Sequence, residues 1–247
     1  MRQIHNRLRN FAIFALSLSM LSASSAMAAC NCHDVPYYAH EEVNTHPTLT
    51  KPVSYVRAGR LIDPEKGVVL EDQLIAIKDK RVISITPWKK GPLDGPLVDW
   101  SAYTVLPGLI DMHTHLADME QTANIAEPLL HSVADIAYMG AYNALVTLQA
   151  GFTTVHDVGT FRALTDVSLR NAIENDLVLG PRMNVVGAYI QGAGGGGEVT
   201  SGLAPDIQVP ADMRAGVVSD VNDARLKVTY LLNRGADSIK MIATGAV

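Results

Sequence analysis

Two histidines, His113 and His115, close an apolar stretch that reads VLPGLIDMHTH at residues 105–115. On an extended strand, side chains two residues apart point to the same side, so the two imidazoles would face one surface together. Imidazole is the commonest metal ligand in proteins. The spacing therefore predicts a chelating pair, although two unrelated histidines at a strand end would give the same pattern.

The residues before this pair predict where it lies in the fold. The run 105–110 is apolar without alternation and is broken only by Pro107 and Gly108. Such a run is typical of a strand buried on both faces, as in the wall of a parallel barrel. Barrel enzymes carry their chemistry at the carboxyl ends of these strands, where His113 and His115 stand.

A lysine near the end of the chain is the third candidate. Lys240 lies in the segment SIKMIATG, on a strand predicted to be buried. Burial disfavours the charged ammonium and lowers the pKa of a lysine. A neutral amine can react with CO2 to give a carbamate, an acidic ligand able to bridge two metal ions. The alternative is a lysine whose amine reaches the solvent at the rim of the sheet.

A glycine-rich segment, GAGGGGE at residues 192–198, follows another predicted strand. Its backbone could approach a ligand closely and offer N–H groups to an anion, which makes Gly195, Gly196 and Gly197 candidates for a substrate loop. A flexible loop without a ligand is the equal alternative.

The pattern of the remaining chain predicts the elements that position these residues. Residues 53–105 read as a small β module, with strands at 53–58, 73–78 and 81–86 and a turn at Asp79 and Lys80. After His115, strands and helices alternate, which is typical of parallel βα units in an α/β fold. We predict helices at 127–150, 160–175 and 219–234, and strands at 153–158, 182–190 and 238–243.

The N-terminus has the features of an export signal. Arg2, Arg7 and Arg9 precede an apolar stretch at 11–21 and a small-residue region ending in Ala28, so we expect residues 1–28 to be a signal peptide and 29–52 a flexible linker. This predicts a periplasmic or secreted protein. Cys30, after Met-Ala-Ala, is an imperfect lipidation site that would tether the protein to a membrane. Cys30 and Cys32 are the only cysteines, and with the nearby histidines they are expected to belong to the tether rather than to a zinc site.

Charge excludes one class of partner. Beyond residue 28 the chain carries 17 basic against 25 acidic side chains. Neutralising phosphates requires a basic face, so we predict no nucleic-acid partner.

Two segments carry a resemblance to a known family. The stretch PGLIDMHTH (107–115) and the stretch ADSIKMIATG (236–245) resemble the metal-binding signatures of the amidohydrolase superfamily, in its prolidase-like and imidazolonepropionase-like branch. Members fold as a (β/α)8 TIM-type barrel beside a small β-sandwich. The resemblance implies that residues 53–105 are a β-sandwich segment and that 106–247 form the first four βα units, an incomplete barrel.

The resemblance also implies a metal centre. His113 and His115 would hold one of two divalent ions, expected to be zinc, and a carboxylated Lys240 would bridge to the second. A hydroxide between the metals would hydrolyse an amide or peptide C–N bond, as in dipeptidases and carboxypeptidases. Three residues would support this centre without binding metal: Asp111, His156 and Asp157.

Other parts of the family's site are expected elsewhere. The family's further histidine ligands and its general-base Asp are expected beyond Val247, so we expect the chain to be the N-terminal part of a longer enzyme. The expected partner is a small-molecule or short-peptide substrate, with membrane contact only through lipidation of Cys30; an oligomer is left open.

Two rival interpretations remain at this point. A cyclic-amide hydrolase or a deaminase could use the same scaffold, although deaminases of this superfamily generally lack the lysine. A truncated, non-catalytic fragment or lipoprotein that at most binds metal is the alternative from a different class.

Overall fold

The computed structural model describes residues 53–118, 127–200 and 202–245. The predicted signal peptide, the linker and both cysteines lie outside the described residues. Residues Lys51–Val247 form one compact unit.

A four-stranded sheet occupies the predicted β module. Its strands are β1 (Ser54–Asp63), β2 (Val68–Lys78), β3 (Arg81–Pro87) and β4 (Leu97–Val105), in the order β3-β2-β1-β4. The first three pair antiparallel, whereas β4 runs parallel to β1. The predicted strands are present and longer than expected, and β4 was not predicted. No second sheet packs on this one in the described part of the chain, so the sandwich itself stays a prediction.

The rest of the unit alternates strands and helices, as predicted. The strands are β5 (Leu109–Thr114), β6 (Phe152–Asp157), β7 (Arg182–Val185), β8 (Tyr189–Gly192), β9 (Val217–Val218) and β10 (Lys240–Ile242). The helices are α1 (Val133–Gln149), α2 (Thr165–Glu174) and α3 (Val221–Asn233), with short 3-10 turns at Glu127–Leu129 and Ala211–Arg214.

These strands form two parallel sheets, β5-β6-β7 and β10-β8-β9. The strand predicted at 182–190 is in fact two strands, because the backbone turns away at residues 186–188. There the N–H groups of Val186 and Gly187 donate to the buried carboxylate of Asp166, at 3.1 and 2.8 Å, and Gly187 has a φ of +80°. A carboxylate thus replaces the neighbouring strand as the acceptor for these two groups.

The apolar core lies between the strands and one layer of helices. One cluster joins β6 and β7 to α1 and α2 and includes Val155, Val185, Ala144 and Val167. A second joins β8 to α3 and includes Ile190 and Leu231. Alternation along β6 therefore sends Val155 and Asp157 toward the helices and His156 to the opposite face.

Two helices begin later than predicted. The helix predicted at 127–150 starts at Val133, because Ser132 caps it: the Asp135 N–H donates to the Ser132 side chain, and the Ser132 N–H donates to the Asp135 carboxylate. The helix predicted at 160–175 starts at Thr165, after Leu164 in a left-handed conformation. A capping box sets the start of α1, whereas α2 begins after a left-handed residue without a side-chain capping bond.

The expectation that the metal-site strands are buried on both faces is wrong for this structure. Ile110 and Met112 on β5 are 62% and 65% exposed, and Met241 on β10 is 70% exposed. In the described residues β5 pairs only with β6, and β10 only with β8, so each is an edge strand. The described strands do not close into a barrel.

The helices give no sign of a membrane span. None of those in residues 53–118, 127–200 and 202–245 combines the length and the apolar character that crossing a bilayer requires.

The hairpin between β2 and β3 turns through two residues with positive φ, Asp79 at +48° and Lys80 at +61°. This is the left-handed pair that a two-residue hairpin prefers, normally supplied by Asn or Asp followed by Gly. A Cβ in this conformation costs about 1 kcal/mol relative to glycine. Lys80 also forms an exposed ion pair with Asp176 at 2.9 Å.

We predict that Lys80→Gly will be more stable than Lys80→Ala by about 1 kcal/mol, because both lose the ion pair and only glycine relieves the backbone. Urea unfolding of the two variants measures the difference. Equal unfolding free energies would show that the turn tolerates a side chain without cost.

Candidate metal centre

His113 and His115 stand together at the carboxyl end of β5. Their ring centroids are 5.4 Å apart with an interplanar angle of 67°. His113 is exposed and His115 is half-buried. The N–H of His113 donates to the Asp111 carboxylate at 3.0 Å, so Asp111 holds the main chain that carries the pair.

One nitrogen of His115 is held by the protein. Its Nδ1 lies 2.8 Å from the carbonyl oxygen of Gly159, the second residue after β6. Since a carbonyl can only accept, Nδ1 must carry the proton and donate. The lone pair of the neutral ring is then on Nε2, the nitrogen that remains to bind a metal.

The charge state of His115 also suits a ligand. Burial lowers the pKa of this imidazole; the bond to Gly159 opposes that shift, and the positive charges of His113 and Lys240 add to it. The neutral form, which is the one that binds metal, is therefore favoured at neutral pH.

Lys240 reaches the same region from a different sheet. It is the first residue of β10, directly beside Tyr189 of β8 in the parallel pairing. Neighbouring residues in register point to the same face, so Lys240 lies on the side of Tyr189, whose ring is 6.0 Å from that of His115. The lysine is half-buried rather than fully buried. Its charge also acts on His115, so Lys240 lies near that histidine; its role as a metal ligand stays a prediction.

His156 takes no part in this group. Its Nε2 lies 3.0 Å from the hydroxyl of Ser238, which in turn donates to the Asn184 side chain at 2.7 Å. Because the serine proton goes to Asn184, His156 donates to Ser238 instead of removing its proton. The histidine therefore does not activate Ser238 as a nucleophile. A supporting role for His156 at the metals stays a prediction.

Asp157 lies behind the pair, fully buried. Its Oδ2 accepts from the N–H of Leu116 at 2.5 Å and from the Thr114 hydroxyl at 3.3 Å. These residues flank His115 on both sides, so the carboxyl fixes the main chain at the ligand. Its Oδ1 has no hydrogen-bond partner among the described residues. Burial, together with the nearby carboxyls of Asp166 and Asp118, raises the pKa of Asp157 to about 8, although its bond to Leu116 opposes the shift.

The glycine loop uses its N–H groups within the protein. Gly195 donates to the Gly192 carbonyl at 3.0 Å, Gly196 to the Thr244 carbonyl at 3.2 Å and Gly197 to the Gln191 side chain at 2.8 Å. Gly194 donates to the buried carboxylate of Glu198 at 2.7 Å. The expectation that these amides are offered to an anion therefore does not fit the described conformation; contact of the loop with substrate stays a prediction.

Tyr189 is a site residue that the sequence reasoning missed. Its hydroxyl lies 3.1 Å from His115 Nδ1, 3.2 Å from the Gly159 carbonyl and 3.5 Å from the Asp118 carboxylate. Burial raises its pKa, and the three nearby aspartates add to the effect, so the phenol stays neutral. Tyr189 pairs with Lys240 in the neighbouring strand, and this is the feature that could have identified it. The break at 186–188 changes which side chains of this segment face the site, so alternation along one continuous strand did not indicate Tyr189.

The donor set fits a metal ion. His115 presents its unprotonated nitrogen Nε2, His113 lies beside it, and Lys240 would be an acidic ligand if it were carboxylated. No group of three His, Cys, Asp or Glu side chains suited to a metal occurs within 53–118, 127–200 and 202–245. The role of Lys240 as a further ligand stays a prediction.

The paired histidines at the carboxyl edge of a parallel sheet place the chain in the class of α/β proteins whose polar side chains gather at the ends of parallel strands. The chain belongs to the amidohydrolase family, whose sequence pattern matches residues 104–247. The predicted resemblance is confirmed, and members of this family typically depend on metal ions.

Curated relatives of similar sequence are dihydroorotases. That of Geotalea daltonii (strain DSM 22248 / JCM 15807 / FRC-32) is 28% identical over 144 residues, which cover 57% of this chain and 31% of the relative. That of Citrifermentans bemidjiense (strain ATCC BAA-1014 / DSM 16622 / JCM 12645 / Bem) is 42% identical over 64 residues, covering 26% of this chain and 15% of the relative.

Solved structures of similar fold are prolidase-like. An Xaa-Pro dipeptidase with methionine in its active site is 32% identical, with a TM-score of 0.66, over 76% of this chain and 46% of that one. A prolidase complexed with N-methylphosphonate-L-proline is 28% identical, with a TM-score of 0.66, over 78% of this chain and 47% of that one. The chain thus spans just under half the length of these structures and about a third of the first dihydroorotase.

We predict that the contribution of Asp157 to the free energy of unfolding falls as the pH rises from about 4 to about 8, because its pKa is about 8 in the folded protein and about 4 in the unfolded chain. Between these values the folded state holds a proton that the unfolded state has lost, so alkali favours unfolding, by at most about 1.4 kcal/mol per pH unit for one group. Urea unfolding at pH 5, 6.5 and 8 measures the slope.

The matched variant is Asp157→Asn, which keeps an acceptor for Leu116 and cannot ionise. The free energy of unfolding of this variant should depend less steeply on pH, but it should still depend on pH, since burial also raises the pKa of Asp166. An Asp157→Asn slope equal to that of the unmodified protein would refute the assignment.

Proposed function

We propose that this chain is the N-terminal part of the catalytic domain of an exported, metal-dependent amidohydrolase that cleaves an amide or peptide C–N bond. The observation that carries the proposal is the orientation of His115: its Nδ1 is committed to Gly159, and its Nε2 is left for a ligand beside His113. Membership of the amidohydrolase family supports the reaction class.

The residues that would hold the metal ions are His113, His115 and a carboxylated Lys240. Bound there, a pair of divalent ions, which we propose to be zinc, would supply a water of lowered pKa and polarise the carbonyl to be attacked. The general base is proposed to lie beyond Val247.

The described residues hold this site rather than carry the reaction. Asp111 and Asp157 bind main-chain N–H groups around the two histidines, and Gly159 fixes the tautomer of His115. Metal ligands set by such contacts need little reorganisation when the ion binds, because their geometry exists beforehand.

For the substrate, we propose a dipeptide or a peptide with a scissile C-terminal residue. The prolidase-like structures support this, since they align over 76% and 78% of this chain at up to 32% identity. An exported protein, as residues 1–28 predict, would meet peptides. The similarity of residues 1–28 to a signal peptide supports a periplasmic or secreted location.

A second candidate is a cyclic-amide hydrolase. The curated relatives of similar sequence are dihydroorotases. Opening the ring of a cyclic amide by hydrolysis also breaks an amide C–N bond. The alignment of these relatives covers less of this chain, 57% against 76% for the dipeptidase, which is why the peptide substrate is the first proposal.

We expect His113→Ala and Lys240→Ala to abolish hydrolysis in the complete enzyme and to lower its zinc content, from near two per chain, because each removes a ligand. Metal analysis by mass spectrometry measures the content. His131→Ala and Lys66→Ala are the matched controls, since these side chains pair with Glu127 and Asp63 instead. Full zinc content in both site variants would contradict the proposed centre.

A substrate panel separates the two candidates. We expect the complete enzyme to hydrolyse Xaa-Pro dipeptides or N-acyl amino acids at least ten times faster, by kcat/KM, than dihydroorotate or hydantoin. The reverse preference would establish the cyclic-amide hydrolase. Measurable zinc without turnover of either class would favour a protein that only binds metal.

A further inference from the structure

Tyr189 makes contacts that neither the family resemblance nor the proposed ligand set accounts for. It is 6% exposed, yet its hydroxyl lies among three polar partners: His115 Nδ1, the Gly159 carbonyl and the Asp118 carboxylate. A buried phenol normally bonds one partner well. Here the partners include a candidate metal ligand.

The proton of each group follows from chemistry. Gly159 can only accept, so Nδ1 of His115 donates. The Tyr189 oxygen, 3.1 Å from the same Nδ1, can then only accept from it, and must send its own proton to Gly159 or to Asp118. The hydroxyl therefore accepts the imidazole proton of His115 in a hydrogen bond and donates its own proton to one of two oxygens, the Gly159 carbonyl or the Asp118 carboxylate.

We propose that Tyr189 is a positioning residue of the metal centre: its hydroxyl accepts a hydrogen bond from Nδ1 of His115 while donating to Gly159 or Asp118, and this strengthens Nε2 of His115 as a metal ligand. The proposal rests on the function proposed above. Partners behind a metal-bound histidine fix the ring and raise its basicity, and losing one typically costs 10- to 100-fold in metal affinity. No atom of Tyr189 touches the metal in this scheme.

Packing holds the phenol where it can do this. A Cβ at Gly159 would lie 2.5 Å from the Tyr189 ring, and one at Gly197 would lie 2.8 Å from it, so both neighbours must be small. Phe161 meets the ring edge at a centroid distance of 5.8 Å. Because ring and backbone are enclosed independently of the hydroxyl, phenylalanine should occupy the same place.

The backbone of Tyr189 places it between the two sheets of the site. It is the first residue of β8 and pairs with Lys240, while its side chain reaches His115, which follows β5. The residue therefore contacts both halves of the candidate centre.

The test is zinc affinity of the complete enzyme, stripped of metal with a chelator and titrated with Zn²⁺ in competition with a chromophoric chelator. We expect Tyr189→Phe to weaken zinc binding by at least about tenfold. We also expect the absorption spectrum of the Co²⁺-substituted variant to shift, since the ligand field that His115 exerts on the metal ion changes. Tyr138→Phe, which removes a hydroxyl from a side chain 79% exposed on α1, should leave both unchanged.

Stability separates positioning from packing. If Tyr189→Phe keeps its thermal midpoint in the absence of metal but loses zinc affinity, the positioning role is supported. If zinc affinity and the Co²⁺ spectrum both match those of the unmodified enzyme, the inference is wrong. If affinity falls only in proportion to a lowered midpoint, Tyr189 is a structural residue and the inference is also overturned.

These results are distinct from failure of the proposed function. An unmodified enzyme that binds no zinc, or binds it equally well after His115→Ala, would overturn the metal centre itself. Zinc binding that depends on His115 but not on the Tyr189 hydroxyl would leave the metal centre intact and remove only this inference.

Discussion

The hydrogen bond from His115 Nδ1 to the Gly159 carbonyl is the constraint on which the candidate site depends. It decides which nitrogen of the ring is free, and it requires the ends of β5 and β6 to lie side by side. The main chain meets that requirement, since the N–H of Val158 donates to the Thr114 carbonyl at 2.9 Å, just beyond the last residues of the strands. Gly159 has a φ of +127°, a conformation that a larger residue would hardly adopt.

Buried carboxylates stabilise the backbone around this bond. Asp157 binds the N–H of Leu116, Asp166 binds those of Val186 and Gly187, and Glu198 binds that of Gly194. Burial raises the pKa of Asp157 and Asp166, and the N–H donors oppose that shift because they satisfy the carboxyl oxygens. Each of these acids meets backbone N–H groups outside a regular strand, which is where such groups lack a partner from a neighbouring strand.

The close placement of His113 and His115 could be predicted from the sequence because its signal is local. The spacing of His113 and His115 on a strand follows from side-chain alternation, and the isolated charge of Lys240 in an apolar segment is conspicuous. The alternation of strands and helices likewise reflects patterns within 10 to 20 residues.

What could not be predicted depends on contacts distant in sequence. Asp166 breaks the strand at 186–188 from 20 residues away, and that break hides the position of Tyr189. The hydrogen bonds from the glycine N–H groups to Gln191 and Thr244 form only in the folded loop, so the sequence did not indicate them. The exposure of Ile110 and Met241 reflects which strands have neighbours, and this is a property of the whole sheet rather than of either segment.

The interruption between β7 and β8 has a consequence for the chemistry. The two histidines lie at or just beyond the end of a strand of the sheet on one side of it, and the lysine belongs to the sheet on the other, so the backbone of residues 186–188 connects the two sheets. In the proposed centre, the conformation of this connection would set the distance between the histidines and the lysine. In an evolving lineage, changes at this connection could retune the preferred ion, or the size of the group spanning that distance, without altering any residue that touches either.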